Sequence, residues 1–152
     1  MYRGINQLKV DGKGRMALPT RCREELIERC NGAMVVTVNN TSTHCLWLYP
    51  LDEWERVEKK INELSSFHPQ HIRLKRFFVG HATDVEMDKT GRILLPPVLR
   101  EFAHIDKELV FVGQGSKFEI WNAKDWEASC QSWMDGEVDE AGPTPEMEVL
   151  QL

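Results

Sequence analysis

Two short runs of this 152-residue chain place an aspartate four residues before an arginine, with a glycine directly preceding that arginine. The first is Asp11-Gly12-Lys13-Gly14-Arg15 and the second is Asp88-Lys89-Thr90-Gly91-Arg92. Residues of these types at this spacing suit anion recognition rather than bond breaking. A glycine turn (Gly12, Gly14; Gly91) lets backbone N–H groups approach a phosphate with no Cβ in the way. The arginine leaving the turn is a planar donor fork that reaches a phosphate or a guanine edge. Lys13 at the tip, like Lys89 in the second copy, suits a phosphate contact. Asp11 and Asp88 would repel a polyanion, so they are read as turn-structuring groups that cap the turn and orient the arginine. On residue chemistry alone a second reading stays open, in which the Asp–Arg pairs are strand-end ion pairs and nothing more.

Other groups that could do chemistry lack partners. His68 and His71 have a spacing two metal ligands could use, but no cysteine or acid stands near them in sequence. His44-Cys45 has no recognisable third member for nucleophilic catalysis. Asp84, Glu86 and Asp88 read as an exposed strand face entering a turn. Gly113-Gln114-Gly115-Ser116 lies between two strands and reads as a hairpin turn, not as a phosphate loop. The chain is therefore read as a non-enzyme, with no cofactor and no metal.

The turns need elements to hold them, and these elements repeat. An offset of 77 superposes Asp11 on Asp88, Gly14 on Gly91, Arg15 on Arg92, Leu18 on Leu95, Pro19 on Pro96, Arg23 on Arg100 and Glu24 on Glu101. In the first copy, residues 5–18 read as a β-hairpin with the turn at its tip, and Pro19 opens a helix that Asn31-Gly32 ends. AMVVTV (33–38) and CLWLY (45–49) are strands. The second copy gives strands at 85–88 and 92–95, a short helix from Pro96, and strands ELVFVG (108–113) and KFEIW (117–121). Between the copies, residues 52–64 have the apolar spacing of an amphipathic helix, with Trp54, Val57, Ile61 and Leu64 on one face. A further helix is expected over 69–80, with Ile72 and the Phe77-Phe78 pair inward and Arg73 and Arg76 in solvent. The tryptophans fall on matching positions of the copies and are read as core.

The totals fit a globular chain: 41% hydrophobic, 28% charged, with five Trp and six Phe. No apolar run approaches the roughly 18–20 residues of a membrane span, and the N-terminus lacks the apolar centre of a secretory signal. Cys22, Cys30, Cys45 and Cys130 follow no disulfide or Cys-x-x-Cys rhythm, which suits a cytoplasmic protein. Net charge is −5, yet residues 1–23 hold six bases (Arg3, Lys9, Lys13, Arg15, Arg21, Arg23) against Asp11 alone. Residues 135–152 hold six acids and no base.

The doubled Asp-x-x-Gly-Arg phrase, each followed by an apolar-x-apolar-Pro run and a later Arg (Arg23, Arg100), resembles the MraZ family. So do FVGHA (78–82), LVFVG (109–113) and KFEIW (117–121). The resemblance covers roughly residues 1–130; one such phrase alone would indicate only the wider AbrB-like superfamily. It implies a mixed α+β, mainly β fold: a pseudo-symmetric, double-split β-barrel with swapped hairpins, built from two internal repeats with added helices. The parts would be a first repeat over 1–53, linking helices over 54–80, a second repeat over 81–126, and a C-terminal segment over 127–152 ending in an acidic, flexible tail. It further implies a transcriptional regulator that binds double-stranded DNA upstream of the division and cell-wall gene cluster. Such a protein would work as a ring-shaped homo-oligomer in the cytoplasm, associated with the nucleoid.

Resemblance and basic surroundings together favour a DNA role for Arg15. Residues 78–100 balance three bases against three acids, whereas residues 1–23 carry a net +5. Phosphate attraction dominates nucleic-acid affinity, so the first turn (Lys13, Arg15) is expected to contact DNA. Arg92 and Lys89 are second-motif candidates in a copy that is mainly structural or a protein–protein surface. Arg3, Arg21 and Arg23 either extend the basic face or are solvated surface groups. The expected action is repression at repeated promoter elements. The alternative is an oligomeric protein-interaction module with the same fold and no DNA role.

Overall fold

The computed structural model describes residues 1–41, 43–136 and 142–151. Both repeats run through the same elements. In the first, β1 (Ile5–Lys9) and β2 (Arg15–Ala17) flank the turn, followed by α1 (Thr20–Cys30), β3 (Ala33–Val38), β4 (Leu46–Pro50) and α2 (Leu51–Asn62). In between, α3 (Pro69–Leu74) runs into a π-helical turn over Lys75–Val79. The second repeat has β5 (Thr83–Glu86), β6 (Arg92–Leu94), α4 (Pro97–Phe102), β7 (Glu108–Gly113), β8 (Phe118–Asn122) and α5 (Ala123–Met134). A short α6 (Pro145–Glu148) follows, capped by the Thr144 hydroxyl, which accepts from the Met147 N–H.

Of the expected hairpin over 5–18, only the tip closes on itself. Val10 bridges Met16, and the Asp11 N–H donates to the Arg15 carbonyl at 2.9 Å. Beyond the tip the arms part, because the other repeat takes their hydrogen bonds. β1 pairs antiparallel with β7, and β5 with β3, so each repeat lends its first strand to the other's strand pair. β2 and β6 pair with one another as a separate two-stranded ribbon. The large sheet is entirely antiparallel, in the order β1-β7-β8-β4-β3-β5, and is symmetric about the β8–β4 seam. No pairing among the described residues closes sheet and ribbon into one cylinder; β1 and β5 remain the sheet's edges.

Alternation along the central strands sends side chains to two cores. Met34, Val36, Leu46, Leu48, Phe111, Phe118 and Ile120 face the ribbon (Met16, Ile93) and the helices α1 (Leu26) and α4 (Leu99), all within one buried cluster. On the other side, Val35 and Tyr49 lie in a cluster with Trp54 and Ile61 of α2 and Phe78 of the π turn. Val110 and Trp121 lie with Cys45, packed against Trp126 of α5. Trp47, Trp54, Trp121 and Trp126 are thus packing residues, as expected, while Trp133 is exposed. Ile72 and Phe77 are half-buried, while Arg73 and Arg76 are exposed. The π turn also satisfies a buried polar group: the Thr37 hydroxyl donates to the Phe78 carbonyl at 2.6 Å.

Two expectations need correction or restriction. Trp126, matched to Trp54, marks the helix start expected from the repeat, but the extent of α5 to Met134 was not foreseen, and the helix spans the boundary expected at 126/127. Residues 137–141 and 152 of the expected acidic tail lie outside the described residues.

Candidate nucleic-acid interface

Each turn is organised by its aspartate. Asp11 Oδ1 accepts from the backbone N–H groups of Lys13 and Arg15, both at 2.9 Å, and Oδ2 accepts from Arg15 Nε at 2.7 Å. Asp88 repeats the pattern with Thr90 and Arg92, the Arg92 Nε bond measuring 3.0 Å, and the Thr90 hydroxyl adds a bond at 2.8 Å. Hydrogen bonds from backbone N–H groups, first that of the arginine, hold both carboxyls down to about 2. Both aspartates are therefore ionised and turn-structuring, as the residue chemistry suggested. Arg15 and Arg92 use Nε for this pairing, and among the described residues their terminal amino groups make no hydrogen bond within the chain. Both arginine side chains are about one-third exposed, at 31% and 35%.

Of the two glycines in the first turn, only Gly14 has positive φ (+88°); Gly91 matches it at +79°. Gly12 sits at the tip with nothing within 4 Å of the position a Cβ would take. Lys13 and Lys89 are exposed at the two tips.

The ribbon brings the two motifs together. Register places Arg15 opposite Leu94 and Ala17 opposite Arg92, with Met16 and Ile93 turned into the core. Arg15 and Arg92 are therefore diagonal neighbours on one face, about 8 Å apart at Cα. Ala17 and Leu94, which is 53% exposed, complete that face.

The remaining bases are dispersed. Arg3 lies at the far end of β1, its backbone against Gly113, separated from Asp11 by about 25 Å of extended chain. Arg21 is exposed on α1, roughly 200° around the helix from Arg23, three and four residues before Glu24 and Glu25. Arg23 is half-buried: its Nε donates to the Leu18 carbonyl at 2.5 Å, and its side chain lies across Gly91 of the other repeat. Arg100 mirrors it, donating to the Leu95 carbonyl at 3.0 Å and lying across Gly14. Residue-by-residue reading passed over Arg100 as a site residue, although the offset of 77 pairs it with Arg23.

The other constellations assemble no site, although the His68 and His71 rings stack with centroids 4.6 Å apart. His68 Nδ1 accepts from the Gln70 N–H as a helix cap, and His71 Nδ1 meets the Ser65 carbonyl at 3.1 Å. Among the described residues no group of three His, Cys, Asp or Glu side chains could hold a metal. Burial pushes the Cys45 thiol up to about 12, far from a nucleophile's range. Sequence reading also missed Glu119, a buried carboxylate that accepts from the indole N–H groups of Trp47 (2.9 Å) and Trp121 (3.2 Å). It ties the two halves together across the β4–β8 seam.

Comparison with known proteins agrees with the repeat. The family model for MraZ protein, described as antitoxin-like, matches residues 1–77 and again 78–139. The chain is 52% identical over 134 residues to the transcriptional regulator MraZ of Marinomonas sp. (strain MWYL1), covering 88% of each chain. It is 46% identical over 152 residues to that of Thioalkalivibrio sulfidiphilus (strain HL-EbGR7), covering both chains fully. It is 43% identical over 145 residues to that of Coxiella burnetii (strain RSA 493 / Nine Mile phase I), covering 95% of each.

Proposed function

The chain belongs to the MraZ family, and from that premise we propose that it regulates transcription by binding repeated promoter elements upstream of the division and cell-wall gene cluster. Its family is one of transcriptional regulators rather than enzymes. The observation that carries a DNA role is Arg15. Asp11 clamps its Nε, and its remaining donors stand on the exposed ribbon face beside Lys13 at the tip. A guanidinium held in this way loses little freedom on meeting a phosphate or a guanine edge. Within the turn the N–H groups of Lys13 and Gly14 already donate to Asp11, which leaves the Gly12 N–H to add a phosphate contact, and Arg92 and Lys89 offer a second set.

One ribbon is a small footprint for a protein of net charge −5. Several copies in a ring-shaped homo-oligomer would meet several elements at once, raising avidity by about 10²–10⁴ without a new contact. The open edges of β1 and β5, with exposed Ile5 and Val98, support self-association. The exchanged first strands support reading the two repeats as the halves of a double-split, AbrB-like barrel supplied by one chain. Acting in the cytoplasm at the nucleoid, the oligomer would repress by occupying the promoter.

A salt series on promoter-region duplex tests the reading. Affinity should fall steeply with salt and prefer repeated elements over one isolated element. Arg15→Ala should weaken binding at least tenfold while leaving the oligomer intact. A shallow, sequence-blind salt response would favour a protein-interaction module, and unchanged binding by Arg15→Ala would move the site elsewhere.

A further inference from the structure

The two motif copies differ in sequence charge, but the fold redistributes that charge. Four contacts, two in each direction, cross between the repeats at the turns. The Leu18 N–H donates to the Gly91 carbonyl and the Leu95 N–H to the Gly14 carbonyl, both at 2.9 Å. The Leu18 carbonyl in turn accepts from Arg23 Nε, and the Leu95 carbonyl from Arg100 Nε. Each guanidinium then folds over the glycine of the opposite turn. A Cβ on Gly14 would lie 2.6 Å from Cζ of Arg100, and one on Gly91 would lie 2.7 Å from Cζ of Arg23. Both glycines are buried beneath these arginines, whereas Gly12, Lys13, Lys89 and Thr90 at the tips are exposed.

We infer that each turn is a composite site: the helix arginine of one repeat completes the phosphate-contacting surface of the other repeat's turn. Arg100 serves the turn of Asp11, Lys13 and Arg15, and Arg23 serves the turn of Asp88, Lys89 and Arg92. This rests on the DNA-binding reading above and extends it to both copies. Counting the clamping aspartate, the tip lysine, the motif arginine and the crossing arginine, each turn holds three bases and one acid, so the copies match in these groups. The excess of positive charge in residues 1–23 belongs partly to the second turn, because Arg23 lies there. The two sites share the ribbon face on which Arg15 and Arg92 are diagonal neighbours, so one duplex can engage both.

The partly buried arginines retain donors for this task. Nε anchors each one on a leucine carbonyl, and that anchor fixes the rest of the guanidinium over the glycine of the opposite turn. Both side chains are half-buried, not sealed from solvent.

The test compares full-length protein with Arg23→Gln and Arg100→Gln on duplex from the region upstream of the division and cell-wall gene cluster. Affinity is measured over a salt series alongside the melting midpoint. Each variant should reduce the slope of log K against log salt by about one, and the two reductions should match. Arg100→Lys, which keeps the charge, should keep the slope, and if Arg100→Gln fails to fold the uncharged Arg100→Met, which keeps the apolar stem, takes its place. Parent-like slopes in both Gln variants would overturn the inference and leave the DNA reading standing. A reduction in Arg23→Gln alone would overturn the matching of the two turns. A parent protein with a flat salt response would overturn the DNA reading and this inference together.

Discussion

At the scale of single residues, the aspartates decide how the turns respond to acid. Asp11 and Asp88 have folded values of about 2 against an ordinary 3.8, so the unfolded chain takes up protons before the folded one does. Their contribution to stability is complete above about pH 4. It is lost as the pH falls from there through about 2. Carboxyl titration followed by NMR should give midpoints near 2 for both residues, with the amides of Lys13, Arg15, Thr90 and Arg92 shifting on the same curve. Midpoints near 4 would mean that the turns are not clamped in solution. DNA affinity between pH 6 and 8 should not follow these groups, since both stay ionised throughout that range.

At the scale of elements, the turn depends on one glycine and not on its neighbour. Gly14 has φ +88° and lies beneath Arg100, whereas Gly12 has no positive φ and open space where a Cβ would go. Gly14→Ala should cost about 1–2 kcal/mol from the left-handed backbone alone, with a further loss if Arg100 is displaced. Gly12→Ala should leave the denaturant midpoint near the parent's, and equal losses at the two positions would show that the turn is not built this way. Much at this scale was legible in the sequence. The offset of 77 located both turns, and alternation located β3, β4, β7 and β8 to within a residue. What alternation could not supply was the choice of partner. The period of two in residues 5–10 states which face is buried, not whether the neighbouring strand is β2 or β7. The same limit hid the role of Arg100. Its pairing with Arg23 was visible at the offset, but its position over Gly14 follows only once the strands are exchanged. The extent of helix α5 beyond Trp126 was not legible because its short apolar pattern sits among polar residues just before an acidic segment.

At the scale of the whole molecule, exchange makes the repeats interdependent. Residues 1–62 contain β1, whose partner β7 lies in the second repeat, and β3, one side of which is taken by β5. Their ribbon strand β2 takes its ladder partner, β6, from the second repeat, and Glu119 would no longer accept from Trp47 across the seam. An isolated first repeat thus exposes a ladder on β1, β2, β3 and β4 together, along with half of a core shared by Met16 and Ile93. A folded monomer of that fragment would leave unpaired backbone groups and apolar surface that a chain of this length cannot offset. A second copy of the same fragment can supply equivalents of β5, β6, β7 and β8, because the repeat offset preserves the turn and the strands. Residues 1–62 expressed alone should therefore be either a strand-exchanged dimer or unfolded. Sedimentation velocity together with amide-shift dispersion distinguishes the two outcomes, and a folded, monodisperse monomer would refute the interdependence. Gly14→Ala should weaken such a dimer more than Gly12→Ala, because the strain of a Cβ at φ +88° would occur in both copies and displace the Gly14 carbonyl that bonds the opposite half.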